Sequence, residues 1–219
     1  MKPIVTFLLP SIVFMNYPVK SIVILLFSFL SLSQYVSGQE PSGGYVNQMN
    51  NYIKNYVETH EVVKGEDRQH LHFFQPDSNY RVIATFEKLE DKAGFKMLTS
   101  QRSSQQYFRY GKIHFIINGT AHELTVYQSK DLMDTEKYKE YLFIPFTDIT
   151  SGVETYNGGR YIDISRQDIT DNKVTIDFNK AYNPYCCYAS GYHCPIPPKE
   201  NALNVAIKAG EKKYTKPVH

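Results

Sequence analysis

The 219-residue chain carries 24 basic and 22 acidic residues, a formal net charge of +2, and three cysteines. So near a balance leaves no global field to attract a polyanion, and no concentrated basic face stands out, so nucleic-acid binding is not expected. The odd cysteine count limits the chain to one intramolecular disulfide and leaves one thiol over.

The chain opens on targeting signals. Residues 22–32 are an apolar run preceded by Lys20, and Val36-Ser37-Gly38 place small residues before Gln39. That is the order of an n-region, an h-region and a cleavage site, so residues 1–38 are expected to be a signal peptide, with Met15 an alternative start. The run is short for a full span, so no stable membrane span is expected after cleavage. Cleavage removes Lys2 and Lys20 and no acid, leaving a formally neutral mature chain bound for the periplasm or the extracellular space. Residues 39–44 read as a leader and 45–219 as a single β-rich domain, long enough to bury a real core.

Tyr45, Met49, Tyr52, Ile53 and Tyr56 recur at helical spacing and predict one amphipathic helix over 45–60, its aromatic stripe a docking face for a sheet. From Asn79 the period changes to two. Val82, Ala84 and Phe86 share one face of a strand over 80–89, and 95–100, 106–110 and 112–117 follow. Asn118-Gly119 before a strand at 122–128 predicts a type I′ hairpin turn, whose central residues both need positive φ. Asn118-Gly119-Thr120 is also a glycosylation sequon, which the turn explains without a glycan. The charged stretch 130–140 reads as an excursion or short helix. Strands are expected at Tyr141–Phe146, Arg160–Ser165, 173–179 and 202–209. The pattern favours a mainly β fold, an antiparallel β-sandwich or open barrel of about eight strands with one N-terminal amphipathic helix.

Chemistry-bearing residues concentrate in the last third. If Arg160–Ser165 and 173–179 form a hairpin, Ile162, Ile164, Val174, Ile176 and Phe178 take one face and Asp163, Asp177 and Asn179 the other. Two carboxylates brought close raise one pKa unless a cation intervenes. Arg160 is the candidate counter-ion, acting from the strand end because strict alternation aims it at the isoleucine face. A solvated sheet face is the plainer reading of the same spacing.

Pro184, Pro195, Pro197 and Pro198 stiffen the segment that follows. Cys186 and Cys194 are the better-placed disulfide pair, since the adjacent Cys186 and Cys187 would need a strained peptide. Their bridge would close a short loop, worth about 2–3 kcal/mol in chain entropy, and produce a rigid lid carrying Tyr182, Tyr185, Tyr188 and Tyr192. Zinc held by Cys186, Cys187, His193 and Cys194 is the alternative, but the spacing is not that of a knuckle and export favours the disulfide. His70 and His72 lack a third ligand nearby. No serine elbow surrounds Ser151, and no phosphate-binding or dinucleotide glycine loop is present, so no cofactor is expected.

These residues resemble the family described as domain of unknown function 1684. The matching motifs are Pro145-Phe146 with Asp148, Thr150-Ser151-Gly152, Glu154-Thr155-Tyr156, Gly159-Arg160-Tyr161 with Asp163, and Asp177 through Pro184. Cys186, Cys194-Pro195, Pro197-Pro198, Glu200-Asn201 and Val205 through Glu211 continue them. The resemblance implies that Glu154, Tyr156, Arg160, Asp163, Asp177, Asn179, Tyr182, Asn183, Glu200 and Asn201 form the family signature, and that Cys187 is the extra thiol. It implies no activity.

The first functional expectation is a binding module for a small polar ligand. Arg160, Asp163, Asp177, Asn179 and Asn183 would supply polar contacts, and Tyr156 and Tyr182 aromatic walls. The alternative is a hydrolase with Asp163 or Glu200 as base and Asp177 as partner. A further alternative is a structural envelope protein.

Overall fold

A computed structural model describes residues 42–216. The expected signal peptide and the start of the leader lie outside them. Helix α1 (Ser42–Thr59) begins within the expected leader and is followed by β1 (Arg81–Lys88), β2 (Phe95–Leu98), β3 (Ser104–Ile117) and β4 (Thr120–Ser129). A one-turn helix α2 (Lys130–Met133), β5 (Tyr141–Phe146), β6 (Arg160–Ser165) and β7 (Lys173–Asp177) complete the order. Among the described residues, no helix is long and apolar enough to cross a membrane.

The seven strands form one antiparallel sheet in the order β6-β5-β4-β3-β1-β7, with β2 added to the first residues of β3. At the β3–β4 turn Asn118 and Gly119 have φ of 52° and 75°, the left-handed pair that a type I′ hairpin demands. The two strands expected at 106–110 and 112–117 are one strand, interrupted where the β3–β4 register slips between Arg109 and Gly111. This bulge bends β3 and helps curl the sheet into an open barrel. Its inner face buries Phe86, Ile113, Leu124, Ile144, Ile162 and Ile176 among others, while Met97, Tyr107, Tyr127, Phe143 and Tyr161 make a second, aromatic cluster on the outer face.

Two expectations need correction. β6 and β7 do not form a hairpin: β6 pairs with β5 and β7 with β1. Alternation fixes which face a side chain takes, not which strand lies alongside, and the apolar partners Leu142 and Ile144 on β5 already claim Ile164 and Ile162. The two strands are instead the free edges of the curled sheet. The second correction concerns 202–209, which is not a strand. One isolated bridge joins Ala202 to Thr147, and the rest runs irregularly through the barrel mouth with Leu203, Ile207 and Ala209 buried. Side chains, not a neighbouring strand, satisfy much of its backbone.

Asn201 shows how such substitution works. β4 and β5 share only the pair Tyr127–Phe143. Asn201 Oδ1 accepts from the Thr125 N–H at 2.8 Å, and its Nδ2 donates to the carbonyls of Thr125 and Pro145 at 2.9 and 2.8 Å. Its side-chain amide thus stands in for a peptide group where the strands part and where Pro145 has no N–H to offer. Asn201→Ala should therefore cost about 3 kcal/mol, because three buried backbone groups lose their partner at once. Urea denaturation would read this as a lowered midpoint at unchanged slope.

Candidate functional site

The curled sheet brings its two edges face to face, with α1 alongside them. Between β6 and β7 opens a cleft of about 400 Å³ whose walls include Tyr52 from α1, Arg81 from β1, Asp163 from β6, Asp168, Asp177 from β7, Lys180 and Tyr182. Asp163 and Asp177 thus share a concavity without sharing a hairpin. Asp163 accepts from the Tyr141 hydroxyl at 2.8 Å and from the Tyr182 hydroxyl at 2.8 and 2.9 Å. Its carboxylate is open to water on one side yet crowded by protein on the others. That crowding raises its pKa above the ordinary carboxylate range, against the pull of the two hydroxyls.

Asp177 is held more tightly. Both its oxygens accept from the Tyr45 hydroxyl, at 2.9 and 3.1 Å, and Oδ1 also accepts from the Asn179 N–H and side-chain amide at 3.1 Å. Asn179 in turn donates to the Asp77 carbonyl at 2.8 Å and accepts from the Asp77 N–H at 3.0 Å. It therefore positions Asp177 and ties β7 to the turn before β1. Lys180 Nζ lies 5.5 Å from the Tyr52 ring centroid. Burial, followed by the charges of Asp163 and Asp177, pushes the Tyr52 hydroxyl up to about 12.

Arg160 does not line this cleft. It obeys alternation and points into the barrel, 0 % exposed. There Nη2 donates to the Ile207 carbonyl at 2.9 Å and meets Asp148 Oδ1 at 3.4 Å, while Nη1 bonds the carbonyls of Ala209 and Glu211. Burial lowers its pKa and Asp148 opposes the shift. Asp148 also accepts from the Thr150 hydroxyl and the Ile207 N–H, each within 2.9 Å.

Glu211, equally inaccessible, follows directly. Gly210 precedes it at φ +77°, where an added Cβ would lie 2.6 Å from the Ala181 carbonyl oxygen, so only glycine fits the approach. The Glu211 carboxyl accepts from Tyr188 at 2.6 and 2.7 Å, the Asn183 N–H at 2.8 Å and Tyr56 at 3.2 Å. Burial raises its pKa to about 7, against the pull of these donors.

The remaining signature residues lie elsewhere. Glu154 pairs with Lys208 at 2.9 Å. Tyr156 packs against a small cluster with Val63, Leu71, Cys187 and Tyr188. Glu200 accepts from Arg109 at 3.1 Å and Tyr127 at 3.0 Å on the outer face, and Asn183 Nδ2 donates to the Lys212 carbonyl at 2.8 Å. His70 and His72 both meet the Thr215 hydroxyl, at 3.0 and 3.3 Å. Among the described residues no group of three metal-ligating side chains is assembled.

Cys186 and Cys194 form the expected disulfide, and Cys187 remains a buried free thiol pushed up by burial to about 12. The bridged loop does act as a wall. Tyr185, Tyr192, Cys194 and Pro195 border a second cleft of about 500 Å³ on the outer face.

Sequence reasoning thus brought Asp163, Asp177 and Tyr182 to one cleft, with Asn179 behind them. It missed Arg81, Lys180, Tyr45, Tyr52 and Asp148, which come from segments whose approach depends on the curl. It also missed Glu211, although Gly210 before a carboxylate was a visible signal.

These features define an open antiparallel barrel, plugged by its own C-terminal segment and carrying a polar cleft at its seam. The chain belongs to the family described as Protein of unknown function (DUF1684), whose profile matches residues 67–212. It is also similar to an uncharacterized protein of Haloarcula marismortui with a solution NMR structure. That protein is 30% identical, with a TM-score of 0.58 over 78% of this chain and 95% of its own. A search of curated proteins finds no match.

Glu211 makes the stability of this fold depend on pH in an unusual sense. Its folded pKa of about 7 lies above the ordinary 4.5, so between these values the folded state holds a proton that the unfolded state has released. Stability therefore falls as pH rises from about 5 through 7, by on the order of 3 kcal/mol. Glu211→Gln should flatten this slope and raise stability at pH 8, measured by urea denaturation across the range.

Proposed function

We propose that the protein is an exported binding module for a small polar ligand held in the cleft between β6 and β7. The convergence of Asp163, Asp168, Arg81 and Lys180 on one aromatic-walled concavity carries this reading. Such a site has the ordinary make-up of a ligand pocket, a few charged groups set among apolar and aromatic walls. Carboxylates and cations in one concavity suit a ligand bearing both an amine and an acid group. Asp177 accepts at both oxygens from Tyr45 and at one from Asn179, which supports a positioning role for it over that of a partner acid in hydrolysis. Export is supported by the apolar run at 22–32 and by a disulfide, which persists in oxidising compartments.

Two measurements test the reading. Native mass spectrometry of the secreted protein should show a small organic adduct that Asp163→Asn loses while its melting temperature stays near wild type. No adduct, no thermal shift with free amino acids and a sharply lowered melt in Asp163→Asn would favour a structural role instead. The denatured mass should correspond to a chain beginning at Gln39 and gain two hydrogens on reduction. A chain retaining residues 22–32 would overturn the proposed export.

A further inference from the structure

The second cleft has a different chemistry. Its floor is the outer aromatic face of the sheet, where Tyr107 lies 5.9 Å from Phe143, Phe143 lies 4.7 Å from Tyr161, and Tyr161 lies 5.8 Å from Tyr182, centroid to centroid. Its rim is the disulfide-held loop, with Tyr185 and Tyr192 edge to face at 5.2 Å. No Lys or Arg lines it, while Asp131 does.

Four of the six lining tyrosine hydroxyls are already committed. Tyr141 and Tyr182 donate to Asp163, Tyr185 donates to Glu61 at 2.7 Å, and Tyr161 bonds the Pro195 carbonyl. A guest therefore meets mainly ring faces and few free hydroxyls, which disfavours a sugar whose many hydroxyl groups need partners. A phenol that donates to a carboxylate also gains electron density, which strengthens the negative potential over its ring. An anion would find no Lys or Arg among the lining residues, only the imidazole of His193, whose Nδ1 meets the Ser103 hydroxyl at 2.9 Å. Rings of this kind with a carboxylate at the mouth match a soft organic cation.

We propose that this outer cleft is a binding site for an alkylated ammonium group, caged by the faces of Tyr182, Tyr185 and Tyr192 and steered by Asp131. The site is separate from the polar cleft, and Asp163 stands between the two with Tyr141 and Tyr182 as the partition. The charges of Asp131 and Asp163 both act on Tyr107, whose hydroxyl is driven up to about 12 mainly by burial. That agrees with a field of negative sign in the cleft. The Cys186–Cys194 bridge fixes the loop that carries Tyr192, so the cage is preorganised and loses little entropy on binding.

The test compares choline with 3,3-dimethylbutan-1-ol, its neutral carbon isostere, titrated into the disulfide-intact protein and followed by tyrosine fluorescence and NMR. Choline should saturate, with the isostere about tenfold weaker or more. Tyr192→Ala should weaken choline about fivefold or more, and Tyr192→Phe, which keeps the ring, should restore it. Asp131→Asn, at an exposed position, should weaken it without changing the melt. Equal binding of the two probes, binding of neither, or choline affinity unaltered in Tyr192→Ala would overturn the proposal. So would saturable binding of a neutral oligosaccharide in the same cleft.

Discussion

The guanidinium of Arg160, with no access to water, sits inside the open barrel against its C-terminal segment. Taking a charge out of solvent costs several kcal/mol, which acceptors at Nη1 and Nη2 offset here, while Nε has no partner among the described residues. Here the acceptors are Asp148 and the carbonyls of Ile207, Ala209 and Glu211, spread along a segment that has no regular hydrogen-bonding partner of its own. The arrangement works in both directions. The irregular segment can be buried because Arg160 takes up its inward carbonyls, and Arg160 can be buried because the segment supplies them.

From that clamp the remaining polar architecture follows. Holding 207–211 against the barrel fixes Glu211 beside Tyr56 of α1 and Tyr188 of the disulfide-bearing region. The same helix reaches the other end of the seam through Tyr45, which bonds Asp177. One helix thus joins two carboxylates that differ in environment: Asp177 in a network it shares with Asn179, and Glu211 among neutral donors only. Asp163 differs again, fenced by two tyrosines and open on one side. The aromatic stripe read as a docking face is therefore also a set of hydroxyl donors, which its helical spacing alone could not reveal.

What the chain discloses about itself divides along the range of the forces involved. Period-two alternation and Asn118-Gly119 are local, and they marked Tyr141–Phe146, Arg160–Ser165 and the β3–β4 turn where the structure has them. Alternation likewise pointed Arg160 at the isoleucine face, and the structure keeps it there. The counter-ion it needed lay twelve residues upstream in Asp148 and in carbonyls nearly fifty residues downstream, a partnership that no spacing rule encodes. The strand expected at 202–209 had the right alternation, but the side chains of Arg160 and Asp148, and not the open edges β6 and β7, take up its backbone groups. Likewise Asp163 and Asp177 meet through the curl of seven strands and not through a turn, so their common face was legible and their route to it was not.

Burial gives the odd thiol of Cys187 a chemical inertness of its own. With its pKa near 12, only roughly one part in 10⁵ would be thiolate at neutral pH, and thiolate is the form that attacks disulfides. The neighbouring Cys186–Cys194 bridge is therefore insulated from rearrangement by the nearest nucleophile in the chain. The protection lasts only while the fold does. A chain caught before α1 and the C-terminal segment have docked carries three competent thiols within nine residues, so its wrong pairings would arise during maturation and not in the finished protein.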